Sequence, residues 1–474
     1  MKRILLIYPP SPVMNREDRC QQPTKELLVI PPLPPSDLMY LAAVAEKAGL
    51  EARIRDYSSN RHCEEPTATK QSHFEADLEE FQPDYLVVNI AAPTLENDLQ
   101  TVQTAKEICP NVVTIAKGAA FLTFAKDIMQ NHSALDIGIV GEAEETLREI
   151  VEEQLLHRIK GIYFRDNLVI KAAGPRSFIE DLDSIPFPAR HLVDNTLYRR
   201  PDNNKVQAVI KVSRGCPFHC FFCLATPVSG AKVRRRSVEN IIAEIRECVE
   251  KYKIKNFLFW SDIFNLDREW TIELCNAIIK SRLKIIWSAN TRADTADLEL
   301  AKLMHKAGCR LVSIGVESGS SEMLEHMGKK ITLNQIRETV KAFKKARIRI
   351  YNYFVIGLPW ETEETAEETI KFAIKLNSDF ISFYTAMPLP GTRFYDYACA
   401  NGLFDGQTSF ENAYFYPAVN THHLTKERVF ELHKSAIKRY YLRPRYILMM
   451  LTRIRSFAEI KNYFTAGFRI LFTK

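Results

Sequence analysis

Two blocks of alternating strand and helix periodicity decide what this chain can fold into. In residues 3–155, short apolar runs at Ile4–Tyr8, Ala52–Asp56, Tyr85–Asn89, Val112–Ala116 and Ile137–Val140 read as strands. Between them, apolar residues recur at helical spacing over Asp37–Ala48, Asn97–Ile108, Phe121–Gln130 and Glu144–Gln154. That alternation predicts an open parallel sheet with helices on both faces, whose ligands sit outside the carboxyl ends of the strands. The loops at those ends are Pro9–Pro12, Ala91–Thr94, Lys117–Ala120 and Gly141–Glu144. From Lys205 to Tyr395 the alternation returns. Strands are expected at Val206–Val212, Asn256–Trp260, Ile285–Ala289, Arg310–Gly315, Ile348–Ile356 and Phe380–Met387. Helical patterns lie at Val238–Tyr252, Trp270–Ser281, Leu298–Ala307, Ser321–Met327 and Leu333–Arg347. Six repeats are too few to close an eight-unit barrel.

The expected organisation is therefore an α/β chain with one sheet domain over 1–155, a connector over 156–204, a second strand–helix block over 205–395, and a helical segment over 396–474. The connector holds a hairpin-like stretch, Gly161–Lys171, and the proline-punctuated run Phe178–Arg190. At 474 residues the chain is too long for one ordinary core. Its 46% hydrophobic and 26% charged residues are those of a soluble globular protein. No run reaches the ~18 consecutive apolar residues of a membrane span, and the basic, proline-cut N-terminus reads as a first strand, not a signal peptide.

Charge is unevenly spread. Residues 1–150 carry 14 Lys and Arg against 23 Asp and Glu, whereas residues 421–474 carry 12 against 3. A basic tail points to an anionic surface or substrate near the C-terminus. The run Lys232–Arg236 has neither aromatic interleaving nor a recognition module, so nucleic acid is not expected. In that run one arginine is expected to meet a carboxylate or phosphate and the others to be solvated, with Ser237 capping the next helix.

The chemistry lies in Cys216, Cys220 and Cys223, which stand in a C-x3-C-x2-C spacing on the loop leaving the strand Val206–Val212. Three thiolates on one tight loop suit a [4Fe–4S] cube with one iron left open. A Cys3His zinc site using His219 and three structural core cysteines are the alternatives. The remaining seven cysteines form no paired framework, and Cys109, Cys248, Cys275 and Cys309 lie in apolar patterns, as expected in a reducing cytoplasm.

The loop resembles that of the radical S-adenosylmethionine (SAM) superfamily, C-x3-C-x-aromatic-C, with Phe222 at the aromatic position. The resemblance implies a partial (β/α)6 barrel and a [4Fe–4S] cluster whose open iron chelates SAM and cleaves it to a 5′-deoxyadenosyl radical. It continues through I-G-V-E-S-G-S at Ile314–Ser320 and G-L-P at Gly357–Pro359. It implies SAM contacts at the strand ends: Asp262 toward the amine, Arg292 in Asn290–Arg292, Glu317 toward the ribose, and Ile356 and Gly357 against adenine. Met387–Pro388 closes the set.

The N-terminal block resembles the Rossmann-like cobalamin-binding domain of the B12-dependent members. The matching stretches are V-G-E-x-E-x-T at Val140–Thr146 and the proline-rich Pro31–Pro35 before the first helix. This implies cobalamin contacts from Thr94, Gly118, Gly141 and Glu142. The chain departs from the family in lacking D-x-H-x-x-G after the first strand, and in carrying Lys117-Gly118-Ala119-Ala120 where G-G-P-H is usual.

The resemblance implies a cobalamin-dependent methyltransferase acting on an unactivated carbon of a small or lipid-like substrate. A flavodoxin- or ferredoxin-type one-electron reductant would feed it. Tetrapyrrole-cyclase-like ring formation without methyl transfer is the alternative enzyme class, and a cluster-bearing carrier the non-enzymatic one. The aromatic, cationic stretches Arg439–Met450 and Ile454–Phe472 suit either a cap on the barrel or peripheral contact at the inner face of a membrane.

Overall fold

The run Arg3–Tyr8 forms the first strand (β1) of a computed structural model that describes residues 1–11, 14–16, 22–23, 33–58, 67–200, 204–404 and 416–452. Pro31 and Pro32 of the proline-rich entry, and the helical pattern 454–472, lie outside the described residues. The chain divides into two units. The first runs to Tyr198 and includes Leu224–Arg235; the second holds Arg199–Cys223 and the chain from Arg236. The segment that follows the cysteine loop is therefore part of the first unit.

In the first unit β1 is joined by β2 (Glu51–Asp56), β3 (Tyr85–Asn89), β4 (Val113–Lys117), β5 (Ile137–Ile139), β6 (Ile162–Asp166) and β7 (Val169–Ala172) in the order β2-β1-β3-β4-β5-β6-β7. The first five strands pair in parallel, and the β6–β7 hairpin extends the sheet antiparallel from β5. Successive side chains point to opposite faces. Ile4, Leu6, Val87 and Ile115 pack under α1 (Ser36–Lys47) and α5 (Glu144–Val151). Leu5, Ile7, Leu86 and Val88 pack under α2 (Thr67–Phe81), α3 (Leu95–Ile108) and α4 (Phe121–Asn131). Sequence reading missed α2 because its surface is almost wholly polar. Its signal is the narrow stripe of Phe74, Leu78 and Phe81, all buried. The hairpin read as part of a connector is instead the sheet's edge.

The second unit is a six-stranded parallel sheet in sequence order: β8 (Gln207–Lys211), β9 (Asn256–Trp260), β10 (Ile286–Arg292), β11 (Cys309–Glu317), β12 (Arg349–Ile356) and β13 (Phe380–Thr385). Helices α6 (Val238–Glu250), α7 (Arg268–Ser281), α8 (Leu298–Lys306), α9 (Ser321–His326), α10 (Leu333–Lys345) and α11 (Glu363–Leu376) cross between the strands. Helix α11 was not expected from periodicity, although Thr362 caps it. One core joins Phe257, Phe259, Trp287 and Ile314 of the strands to Ile245, Leu274, Met304 and Phe343 of the helices.

After α12 (Arg393–Ala400), α13 (Lys426–Tyr441) lies on the last strand. Edge strands present unpaired peptide groups, and α13 satisfies several of them. The Tyr441 hydroxyl accepts from Ile381 N–H (3.0 Å) and donates to Ile381 O (2.5 Å), and His433 Nε2 donates to Phe383 O (2.8 Å). A last helix, α14 (Pro444–Leu451), buries Tyr446 and Met450 and leaves Ile447, Leu448 and Leu451 exposed. Among the described residues no helix is long and apolar enough to cross a membrane.

Candidate active site

The cysteine loop starts where β8 ends. Gly215 turns the chain with φ of +100°, a conformation glycine adopts without steric cost, and donates its N–H to Asp262 Oδ2 at 2.8 Å. Phe221 N–H bonds Met327 O (3.0 Å), and Phe394 N–H bonds Phe221 O (3.0 Å). The Phe221 ring packs against Trp360, Phe394 and Tyr397 at centroid distances of 4.9, 5.6 and 5.7 Å. Phe222 packs half-buried against the core. The loop is thus held from four sides, while Cys216, Cys220 and Cys223 stay reduced, outside any disulfide.

Two cations flank those thiols. Arg292, 4% exposed at the end of β10, lays its guanidinium 3.8 Å from the Phe218 ring centroid, pairs with Asp294 (2.8 Å) and donates to Lys329 O. Lys329 Nζ reaches Glu317 Oε1 at 2.7 Å. Glu317 ends β11 in a left-handed conformation, φ +68°, just past a register shift after Gly315. A side chain at Gly315 would collide with the Glu317 carboxylate and come within 3.0 Å of Lys329 Nζ, so that glycine makes room for the pair. Burial pushes the Cys216 thiol up, and Arg292 and Lys329 pull the other way. At the ends of β9 and β10 the hydroxyls of Ser261 and Thr291 are buried without a partner among the described residues.

At the end of β12, Ile356 is fully buried and Gly357 turns with φ of +95°. A Cβ on Gly357 would stand 2.6 Å from Val429 Cγ1 of α13, and its N–H donates to Glu361 Oε2 (3.3 Å). Glu361 also accepts from the Thr365 hydroxyl (2.5 Å), and burial lifts its carboxyl to about 7.

In the first unit the strand order reverses between β1 and β3, where sheets of this topology take their ligands. Asn89 ends β3 with a fully buried side-chain amide that has no partner at either atom among the described residues. Gly118 follows β4 pressed against Ile90 O, and Gly141 follows β5 at φ +87° beside open space. Thr94 is buried. Its hydroxyl donates to Asp98 (2.7 Å) within a buried ion pair that Arg16 makes with the same carboxylate (2.7 and 2.9 Å), and Arg16 also bonds Asn89 O (3.0 Å). Nothing in the charged stretch around Arg16 marks it as a core residue. Glu142 accepts from both terminal nitrogens of Arg234 (2.8 and 2.9 Å) and from Ile179 N–H (2.7 Å).

Residues 210–373 match the model of the Radical SAM superfamily, and residues 31–151 match that of the B12 binding domain. An uncharacterized methyltransferase, PH0819 of Pyrococcus horikoshii, is 33% identical over 376 residues, covering 78% of this chain and 81% of that one. The chain belongs to the radical SAM superfamily. The anaerobic magnesium-protoporphyrin IX monomethyl ester cyclase of Cereibacter sphaeroides is 27% identical over 373 residues, 76% of this chain and 59% of the cyclase. In fold, the cobalamin-dependent SAM radical enzyme OxsB, solved with aqua-cobalamin and SAM, superposes with a TM-score of 0.76 at 15% identity, over 99% of this chain and 71% of OxsB.

A radical SAM protein with a B12 binding domain is an enzyme, which sets aside the carrier reading, and its cofactors are a [4Fe–4S] cluster, SAM and cobalamin. The residues present fit them. Three cysteines on one loop suit a [4Fe–4S] cube, in which each thiolate takes its own iron. The unpartnered Asn89 amide and the open glycine at Gly141 lie where a ligand of the first sheet would meet them.

The basic run corrects the sequence reading. Of its three arginines Arg235 is exposed, whereas Arg234 is buried on Glu142, and Arg236 is buried on Glu244 and Asn240 (2.7 Å). Ser237 caps α6 as expected. Sequence reasoning also missed Lys329 and Glu361, both buried, because each stands beside polar residues, Lys330 and Thr362–Thr365, that give no local sign of burial.

Proposed function

We propose that this radical SAM enzyme is a cobalamin-dependent methyltransferase acting on an unactivated carbon of a small or lipid-like substrate. The observation that carries it is a three-thiol loop at the carboxyl end of a six-stranded parallel sheet, in a chain that also has a B12 binding domain. When bound, cluster and SAM supply a deoxyadenosyl radical and cobalamin supplies the methyl group.

Cys216, Cys220 and Cys223 hold the cluster. Asp262 and Arg292 keep the loop in place, the first through Gly215 and the second through Phe218. Glu317 and Lys329 present buried charge beside it for the polar groups of SAM, while Phe222, Ile356 and Gly357 furnish its apolar surround. Thr94, Gly118, Gly141 and Glu142 form or brace the strand ends that receive cobalamin. A flavodoxin- or ferredoxin-type protein supplies electrons. The exposed Ile447, Leu448 and Leu451, followed in sequence by Arg453 and Arg455, suit an anionic membrane surface from which a lipid-like substrate would come.

The test is anaerobic. Protein reconstituted with iron, sulfide and cobalamin is given SAM and a strong reductant, and 5′-deoxyadenosine and S-adenosylhomocysteine are quantified. Methyl transfer requires both, the second dependent on cobalamin, and Cys220→Ala must abolish both. Deoxyadenosine alone would favour the cyclase-like reading, which the likeness to the Cereibacter enzyme supports.

A further inference from the structure

Reducing a cluster adds one electron, and with it one negative charge, while no bond forms or breaks. The fixed charges beside the thiolates therefore bear directly on how readily an external low-potential donor can reduce it, since net charge near a cluster is among the terms that set its potential. The second unit places such charges in a buried arrangement. Lys329 and Glu317 face each other at 2.7 Å, each side chain about one-tenth exposed. Gly315 leaves them space, the left-handed Glu317 aims its carboxylate at the ammonium, and Arg292 grips the Lys329 carbonyl while lying on Phe218 of the cysteine loop.

We propose that Lys329 and Glu317 set the reduction potential of the cluster held by Cys216, Cys220 and Cys223, with the lysine raising it and the glutamate limiting the rise. In this role Lys329 acts through its charge on the cluster, separately from the charge it presents to SAM. Its ammonium is not left alone in the protein but is paired with the Glu317 carboxylate at 2.7 Å. The strain at Glu317 accords with this: a left-handed non-glycine residue persists where its surroundings over-determine it, and such positions cluster at functional sites. Any lysine on the surface could balance charge overall, whereas only a buried one avoids screening by solvent.

The inference rests on the cluster assigned under the proposed function, and its test separates the two. The full chain is reconstituted anaerobically without SAM, and the reduced cluster is followed by electron paramagnetic resonance through a redox titration. Lys329→Met should lower the reduced-to-oxidised ratio at a fixed potential by about tenfold, which is ~59 mV for one electron. Glu317→Gln should shift it the opposite way, the double variant Lys329→Met/Glu317→Gln should return near wild type, and Lys329→Arg should retain most of the wild-type value. The double variant also guards against misfolding, because it leaves no buried charge unpaired. Opposite signs in the two single variants are what a purely structural role would not produce. Reduced-to-oxidised ratios within a factor of two of wild type in all four, at full iron content, would overturn the inference and leave the cluster reading standing. Absence of any reducible cluster signal in wild-type protein would overturn the cluster reading itself.

Discussion

The Asp262 carboxylate accepts the peptide N–H of Gly215 at 2.8 Å, so the residue at the end of β9 holds the first turn of the cysteine loop that follows β8. The sequence reading assigned Asp262 to the SAM amine. The geometry gives it a task that exists before any SAM arrives, since a loop presenting three thiolates must be fixed at its entry.

Replacing Asp262 with alanine should therefore cost cluster retention before it costs SAM affinity. A buried N–H stripped of a charged acceptor costs about 1–3 kcal/mol, and the loss falls on the loop. Iron and sulfide per chain after reconstitution should drop in Asp262→Ala, whereas Asp262→Asn, which keeps an acceptor oxygen, should stay close to wild type. Full iron in the alanine variant would show that the loop needs no such anchor.

Gly357 makes a prediction about packing. Its left-handed φ and the 2.6 Å approach to Val429 both oppose a side chain. Gly357→Ala should destabilise the second unit by ~1–3 kcal/mol, seen as a lower denaturant midpoint. Adding Val429→Ala should restore part of the loss, because it removes the collision and leaves the backbone cost. No recovery in the double variant would mean that φ alone accounts for the glycine.

Strand positions were legible in sequence where two periodicities met: the six strands of the second unit and the first five of the first unit fall within a few residues of expectation. Helix α2 was not legible, because a stripe of Phe74, Leu78 and Phe81 among charged residues gives little contrast. The cysteines could be read since their spacing is their chemistry. The partners of Glu142, Lys329 and Arg16 could not, for pairs separated by 92, 12 and 82 residues are made by the fold and leave no local pattern.

The Glu142–Arg234 pair joins the loop after β5 to the segment beyond the cysteines, within the first unit. Breaking one side of a buried pair leaves the other charge unpaired and costs ~3–5 kcal/mol. Arg234→Ala should lower the unfolding midpoint of that unit accordingly. Arg234→Lys should recover only part, since an ammonium cannot reproduce the two parallel bonds of the guanidinium. A lysine variant as stable as wild type would reduce the pair to simple charge balance.

Glu361 predicts a pH dependence with a definite sign. Among the described residues its carboxylate meets the Thr365 hydroxyl and the Gly357 N–H and no cation, and burial lifts its carboxyl from 4.5 to about 7. Between those values the native chain keeps a proton that the unfolded chain has released. The unfolded state then binds fewer protons, so this group's contribution to stability falls as pH rises through the window, by roughly 3 kcal/mol in total. It is fully present below the unfolded value and level again once the native carboxyl has ionised. Glu361→Gln stays neutral throughout and should remove this slope. The difference between variant and wild type in urea unfolding, measured from acid to mildly alkaline pH, isolates the residue from the other titrating groups. It should grow in the variant's favour toward neutral pH and then hold steady. A difference independent of pH would mean that the native carboxyl titrates where the unfolded one does, so that burial in the turn beginning at Gly357 does not lift it.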